Sequence, residues 1–534
     1  MEFIKNFPFF SIMVAMLGAV VCSVLKGRAA KYVSFFATGV IFLLSLSTLV
    51  YTCVTESSFV YWMGHFPAPW GNEIRAGQTE CMTATAFSFI ILLIIVGGAR
   101  YTERATDRSK QNYFYILTGL LTGALLALVY TNDLFTAYVF IEINTIAACG
   151  FIMIRRTGKS IASAIQYMTM SLLGSGLVLI GITLLYTITG HLLMENIHDS
   201  IKALGASGEY RVPLLVVIGL ITVGLAIKSG LYPFHMWIPD AYSHSFPTSS
   251  ALLSGLASKG YIFLLIKIYY RVIGVDSILG SHVLTIVFIC GLIAMLMGSV
   301  HALGQNDIRR MCAFCSVSHI GYIFMCIGLG TEAGMSAALL HLYMHAFTKP
   351  MLFLAMAGIA SVSPKHELSA EQKEEAKKDP LSLESQSGEG VFTATTIELD
   401  AFDSYKYKDI KGAGKRNPFA AFTFLVGSFS MVGIPLFAGF SSKLYIAMAA
   451  TGTESGIKFW AVMLTLALST ILMVGYFFRV VIRLYQDSDL ALVEKRNRPE
   501  YIFSLSLFIA ANVFIGLFSG YIIQILESGI KMFG

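Results

Sequence analysis

Seven ionisable residues lie inside stretches otherwise apolar enough to cross a membrane. Glu142 sits in TAYVFIEINTIAACGFIMI, Lys228 ends VPLLVVIGLITVGLAIK, and Lys259 lies in ALLSGLASKGYIFLLIK. His341, His345 and Lys349 share AALLHLYMHAFTKPMLFLAMAGI, and Lys443 follows in GIPLFAGFSSKLYIA. A charge at bilayer depth costs several kcal/mol unless it meets a partner or a wet cavity, so such residues mark ion pathways by default. Glu142 and Lys228 are natural partners. Burial favours the neutral form of each and mutual attraction favours the charged forms, so joining or separating the pair would take up or release a proton. A static pair that only fixes helix packing is the plain alternative.

His341, His345 and Lys349 follow at successive i+4 steps and therefore share one helix face. Histidine titrates near neutrality and suits a proton relay. The same HxxxH spacing could ligate a metal in a membrane enzyme, but no glutamate base stands between the histidines. A lysine one turn on also disfavours a divalent ion. Cys312-Ala313-Phe314-Cys315 mimics a redox motif without the strand–helix context one needs, and reads as helix packing. His319, in the same stretch, either lines a path or bonds a neighbouring carbonyl. No phosphate-cradling loop, haem motif or iron–sulfur spacing occurs, so no bound cofactor is expected, and nothing points to nucleic acid.

The elements that must hold these residues follow from composition. Of 534 residues 56% are hydrophobic and only 13% charged, with a mean hydropathy of +0.70. That excludes a soluble globule and implies an all-α polytopic membrane protein. Outer-membrane strands would alternate apolar and polar residues, and these runs do not. Windows of spanning length give about fourteen helices, centred near 16, 41, 90, 121, 143, 173, 221, 260, 291, 319, 346, 434, 471 and 513. The first run is not a secretion signal, because its positive charge (Lys26, Arg28, Lys31) follows it and no cleavage site appears. Basic residues cluster in alternate loops: 26–31, Arg100/Arg104/Arg108/Lys110, Arg155/Arg156/Lys159, Arg309/Arg310 and Lys495/Arg496/Arg498. With an even helix count, that pattern puts both termini outside and these loops in the cytoplasm; Arg271 is an exception. Cys53 and Cys81 flank the first outer loop, where a disulfide is conceivable.

Three loops are long: 53–80, 189–211 and a polar cytoplasmic insertion, 362–416. Within the insertion, Ser369-Ala370-Glu371-Gln372 resembles a capping box before a short charged helix ending at Asp379-Pro380. The insertion has no core of its own and reads as a tether with docking contacts. Two spanning helices are interrupted. Gly230 and Pro233 follow Lys228, and Gly433 and Pro435 precede Lys443. Such breaks are tolerated where they line a cavity, and freed carbonyls beside Lys228 would hydrate a proton path. Two breaks five helices apart suggest inverted five-helix repeats, since an odd helix number reverses the second copy's orientation. The expected division is 1–111 (helices one to three with the outer loop), 112–275 (helices four to eight), 276–490 (helices nine to thirteen with the insertion) and 491–534 (helix fourteen).

From about residue 60 to 485 the chain resembles one family of membrane subunits. These are the antiporter-like subunits of respiratory complex I, of Mrp-type cation/proton antiporters and of energy-converting membrane-bound hydrogenases. DLFTAYVFIEI resembles the family's fifth-helix glutamate motif (Glu142). KSGLYPFHMWIPDA with SALLSGLASKGY resembles its strongest signature (Lys228, Pro233, His235, Trp237, Pro239, Asp240, Lys259). QNDIRRMCAFCSVSHIGY resembles the stretch entering helix ten. HLYMHAFTKPMLFL carries His341, His345 and Lys349, and GIPLFAGFSSK the twelfth-helix lysine, Lys443. The resemblance implies a central hydrophilic axis that conducts protons. Departures are Phe246 where the family usually has proline, Lys267 where an arginine is common, a longer loop before helix twelve, and no long lateral helix after helix fourteen.

The expectation is a proton-translocating subunit of a redox-driven pump in a prokaryotic inner membrane. Glu142 and Lys228 form the switch. His235, Lys259, His319, His341, His345 and Lys349 belong to the path, and Lys443 is the far gate. Energy must come from partners: homologous and small membrane subunits, with a soluble redox arm. Coupling to Na⁺ in an Mrp-type complex without that arm, a metal-dependent membrane enzyme, and a support subunit that only anchors others are the alternatives.

Overall fold

Apolar runs of twenty or more residues can satisfy their backbone in lipid only within themselves, so they form helices. The computed structural model describes residues 2–67, 71–106, 110–205, 210–274, 278, 282–363, 405–453, 455–488 and 497–532. The first spanning helices are α1 (Phe7–Val24), α2 (Arg28–Thr55), α3 (Gln78–Ala105), α4 (Gln111–Tyr130), α5 (Leu134–Met153) and α6 (Gly158–Thr189). After a short α7 (Met194–Gly205) come α8 (Arg211–Ser229), α9 (Trp237–His244), α10 (Pro247–Leu252) and α11 (Ser258–Ile268). The second half comprises α12 (His282–Leu303), α13 (Ile308–Gly328), α14 (Glu332–Ala360), the single-turn α15 (Ala413–Arg416), α16 (Pro418–Val432), α17 (Ala438–Thr451), α18 (Gly456–Tyr485), α19 (Pro499–Leu517) and α20 (Ser519–Lys531).

Among the described residues twelve helical segments are long and apolar enough to cross a membrane. Two of the fourteen expected helices fall outside that set. The helix centred near 346 is α14, 29 residues long, whose histidines and lysine dilute its apolar character. The helix centred near 434 is two shorter pieces, α16 and α17, parted at Gly433.

Other expectations need correction. The first long loop carries an antiparallel hairpin, β1 (Phe59–Trp62) paired with β2 (Glu73–Ala76). The second loop holds α7. The C-terminal segment is two helices parted at Phe518. Cys53 and Cys81 are both free thiols. The capping box at Ser369, Asp379-Pro380, and the basic residues Arg108, Lys495 and Arg496 lie outside the described residues. The insertion's described end contacts the start of α13: Ile308 N–H donates to the Tyr405 carbonyl at 3.0 Å, Tyr407 N–H to the Asn306 carbonyl at 3.0 Å, and Arg309 stacks on Tyr405.

The helices that carry the ionisable residues occupy the centre. The segments Pro247–Ile273 and Ile308–Gly328 are buried throughout their apolar windows, and α14 is buried from Gly334 to Ala360. α12 closes on α13 through glycines. A Cβ on Gly321 would meet the Met295 backbone nitrogen at 2.6 Å, and one on Gly298 the Ser318 nitrogen at 2.5 Å. Small residues at such crossings let backbones approach where apolar burial supplies no driving force.

At one end of the centre, Arg271 pairs with Glu80 at 2.8 Å, with both side chains at most 2% exposed. Removing one partner strands the other's charge, a loss of about 3–5 kcal/mol. Glu80→Leu should therefore lower the unfolding midpoint in detergent by that equivalent, and Glu80→Leu/Arg271→Leu should recover most of it. Equal destabilisation by the single and double variants would contradict this reading.

Candidate functional site

The first break is built at the end of α8. Gly230 adopts a left-handed conformation, φ +77°, which glycine reaches without a Cβ penalty. Its N–H bonds the Ile227 carbonyl at 3.1 Å, and Leu231 N–H bonds Ala226 at 3.0 Å. The Trp237 indole N–H adds a further bond to Ile227 at 3.3 Å. This corrects the expectation of freed carbonyls beside Lys228: the helix end is capped. What surrounds the ammonium instead is hydroxyl. Lys228 Nζ donates to Thr145 Oγ1 at 2.8 Å and Ser171 Oγ at 3.0 Å, and lies 5.4 Å from the Tyr261 ring centroid. Glu142 Oε1 is 3.7 Å away, and Ser175 donates to that carboxylate. Gly174 and Gly224 bring α6 and α8 together: a Cβ on Gly174 would meet the Gly224 carbonyl at 2.8 Å and the Lys228 stem at 3.1 Å.

Glu142 is less deep than its sequence context suggested. Its side chain is 26% exposed while that of Lys228 is fully buried. The pair therefore joins the flank of the chain to its interior.

Lys259 uses a different device. A π-helical turn, Leu253–Ala257, precedes it, and Lys259 Nζ folds back to the Ser254 carbonyl and to Ser258 Oγ at 3.2 Å. Such wider turns expose carbonyls that a regular helix would occupy. The turn packs on α14, where a Cβ on Gly255 would reach the Ala346 carbonyl at 3.3 Å. Pro350, inside α14, has no N–H to offer that carbonyl. Irregular backbone on two helices thus meets at the centre of the chain.

From there the histidines continue. His345 stacks on His319 with centroids 5.4 Å apart. His319 Nδ1 lies 3.0 Å from His341 Nε2, and His341 Nδ1 lies 3.1 Å from Ser442 Oγ. Lys443 is the next residue. Its Nζ donates to the Val432 carbonyl at 2.8 Å and Thr470 Oγ1 at 3.0 Å. Val432 ends α16 and Gly433 caps it at φ +94°, so here the lysine does solvate itself on a helix-end carbonyl. Lys228 precedes its break and Lys443 follows its own.

Two expected members stand apart. Lys349 turns to the Cys312 carbonyl at 2.7 Å. His235 is buried against Tyr232, 5.0 Å between centroids, with no hydrogen bond to the row among the described residues. Thr145, Ser171, Ser175, Ser442 and Thr470 were missed. The first could have been found, three residues after Glu142 and so on its face, and Ser171 and Ser175 by their i+4 spacing. Between Tyr261 and Lys259, and between Lys259 and His345, no direct hydrogen bond is made among the described residues. Four unpaired buried polar atoms belong to residues of this stretch: Asn144 Oδ1, both ring nitrogens of His345 and Nε2 of His319. Buried polar atoms seldom lack a partner, so these are places for ordered water. Among the described residues no cluster of three or more His, Cys, Asp or Glu is placed to hold a metal ion.

The family model described as NADH:quinone oxidoreductase/Mrp antiporter, TM, matches residues 131–381 and 387–474. The chain belongs to that family. It is 29% identical over 437 residues to NADH-quinone oxidoreductase subunit N of Desulforudis audaxviator, covering 82% of this chain and 77% of the relative. Subunit N of Herminiimonas arsenicoxydans is 27% identical over 524 residues, 94% of both chains. In solved structures, a chain of the membrane-bound sulfane sulfur reductase, an archaeal respiratory membrane complex, shares the fold with a TM-score of 0.81 at 21% identity, over 100% of this chain and 98% of that one. A chain of the Mrp complex from Dietzia sp. DQ12-45-1b does so with a TM-score of 0.78 at 20% identity, over 99% and 97%. Family membership agrees with the resemblance read from the motifs around Glu142, Lys228 and Lys443.

Thr145→Val keeps the shape of residue 145 and removes a hydroxyl acceptor from a buried ammonium. The expected loss in unfolding free energy is about 1–3 kcal/mol, with Thr145→Ser close to wild type. A valine variant as stable as wild type would show that Lys228 does not depend on this contact.

Proposed function

We propose that this chain is the proton-translocating, antiporter-like subunit of a multisubunit redox-driven ion pump. The observation that carries the proposal is the row of ionisable groups running through buried helices from Glu142 and Lys228 to Lys443, with hydroxyls, histidines and unpaired polar atoms between them. In this reading Glu142 and Lys228 are the switch. Lys259, His345, His319 and His341 pass the proton along, and Lys443 delivers it at the far side. Lys349 and His235 support the path from its flanks.

The division into five-helix units, 112–275 and 276–490, with 1–111 and 491–534 flanking them, belongs to the same proposal; each unit contains one break and a lysine beside it. So do a prokaryotic cytoplasmic membrane and termini on its outer side. Neither a redox nor a nucleotide motif occurs in the sequence, so the driving energy would come from partners, homologous membrane subunits and a soluble redox arm. Subunit N relatives belong by name to an NADH-quinone oxidoreductase, which favours the redox-driven form. The family description also names Mrp antiporters, so a secondary Na⁺/H⁺ antiporter without a redox arm is the second reading.

Proton and sodium flux in inverted vesicles holding the whole complex tests this. Glu142→Gln and Lys228→Ala should each cut proton flux at least several-fold at normal assembly, because each removes one half of the switch. Unchanged pumping with normal assembly would reduce the chain to a support role. Flux that needs a reductant would favour the first reading, and Na⁺-driven flux without one the second.

A further inference from the structure

Away from the buried row, α2, α3 and α19 end together around a set of cations. One cleft, about 520 Å³, is lined by Arg28, Arg100, Arg104 and Arg498 with Glu103. A neighbouring cavity shares Arg100, Glu103 and Arg498 and adds Lys31, Phe35 and Val96. A third opening runs from Arg498 along Ile502 and Phe503. The volume lies within the range of ordinary small-molecule sites.

The charge is unbalanced. Five cations face Glu103 and Glu500, and Glu103 is already paired with Lys31 at 2.7 Å. Arg100 and Arg104 are one turn apart on α3, and Arg498 faces them from the start of α19. Among the described residues no carboxylate pairs with any of the three. Arg498 also precedes Pro499, the first residue of α19. Guanidinium groups gathered in this way suit the oxygens of a phosphate, which they hold by charge-assisted hydrogen bonds.

The site's position says which anion. It lies at one end of three spanning helices, the end carrying the basic loops. Below the charges the surface turns apolar: Tyr32 is 63% exposed, Phe36 75% and Phe503 60%. A soluble anion needs no such floor, whereas an acyl chain does. Basic pockets at the ends of spanning helices suit lipid headgroups.

We propose that this cleft binds the phosphodiester of an anionic membrane phospholipid, with an acyl chain laid along Phe35, Phe36 and Phe503. Arg100, Arg104 and Arg498 hold the phosphate oxygens, and the lipid adds to the contacts by which α3 already meets α19, the Tyr101–Tyr501 ring pair and the Ser504 hydroxyl on the Leu93 carbonyl. The proposal does not depend on the proton-transfer reading.

The test is native mass spectrometry of the full chain released from nanodiscs of phosphatidylcholine with phosphatidylglycerol, together with melting in nanodiscs of each composition. Wild type should retain phosphatidylglycerol in preference to phosphatidylcholine and melt higher when it is present. Arg100→Gln/Arg498→Gln should weaken that retention roughly tenfold or more and abolish the melting difference. Arg100→Lys/Arg498→Lys, which keeps the charge, should retain part of both, and it serves if the glutamine variant does not fold. Equal retention of the two lipids by wild type overturns the proposal. So does undiminished phosphatidylglycerol binding in the glutamine variant, or displacement of the lipid by inorganic phosphate alone, which would make the cleft a free-anion site.

Discussion

An ammonium among apolar helices persists only if other dipoles replace the water it has lost, and this chain must meet that demand repeatedly. Among the described residues five lysines are buried: Lys228, Lys259, Lys267, Lys349 and Lys443. Lys228 alone of these has a carboxylate within ion-pair distance. The others rest on carbonyls and hydroxyls. Lys267 donates to Val129 and Thr131 at the end of α4, Lys259 to a π turn, and Lys443 to the last carbonyl of α16. An amine can donate to a carbonyl whether or not it holds its extra proton. These seats therefore do not depend on a carboxylate, whereas Lys228 has one beside it.

That requirement explains the irregular backbone. A regular helix keeps its carbonyls occupied, so an acceptor for a lysine arises mainly where the helix ends, widens or lacks a donor. Leu253–Ala257 widens and seats Lys259, and Gly433 ends a helix whose last carbonyl seats Lys443. Each would weaken an isolated helix. The π turn lies in a fully buried segment, where surrounding helices hold it, whereas Gly433 is half-buried beside the exposed Leu436. The exception is instructive: at Gly230 the helix also ends, but its carbonyls are capped by Gly230, Leu231 and Trp237. The lysine beside it has hydroxyls and a counter-ion instead. The two halves thus solve one problem by different means, with the lysine before the break in one and after it in the other.

The sequence made the membrane class, the approximate helix centres, both breaks and the main ionisable row legible, because charge and glycine–proline pairs contrast sharply with apolar surroundings. It could not orient Glu142. Apolar residues surround α5 on every side, so periodicity does not say which face turns inward. The π turn was invisible because LLSGLAS is compatible with an ordinary helix. α7 was read as loop because twelve amphipathic residues between glycines carry no spanning signal. Both segments that fall outside the apolar spanning set, α14 and the broken α16–α17, are helical at the expected centres. The hydroxyl partners were the real loss: serine and threonine are common in apolar helices, spacing points only to Thr145, Ser171 and Ser175, and the folded arrangement is needed to select Ser442 and Thr470.

The central claim is that the gaps in the row, from Tyr261 to Lys259 and from Lys259 to His345, are bridged by water. A cryo-electron microscopy map of the assembled complex, at a resolution that resolves ordered solvent, tests it most directly. The account requires water density within hydrogen-bond distance of Asn144 Oδ1, His345 and His319 Nε2, connecting Lys228 to Lys443. Dry, close-packed hydrocarbon against those atoms would contradict it.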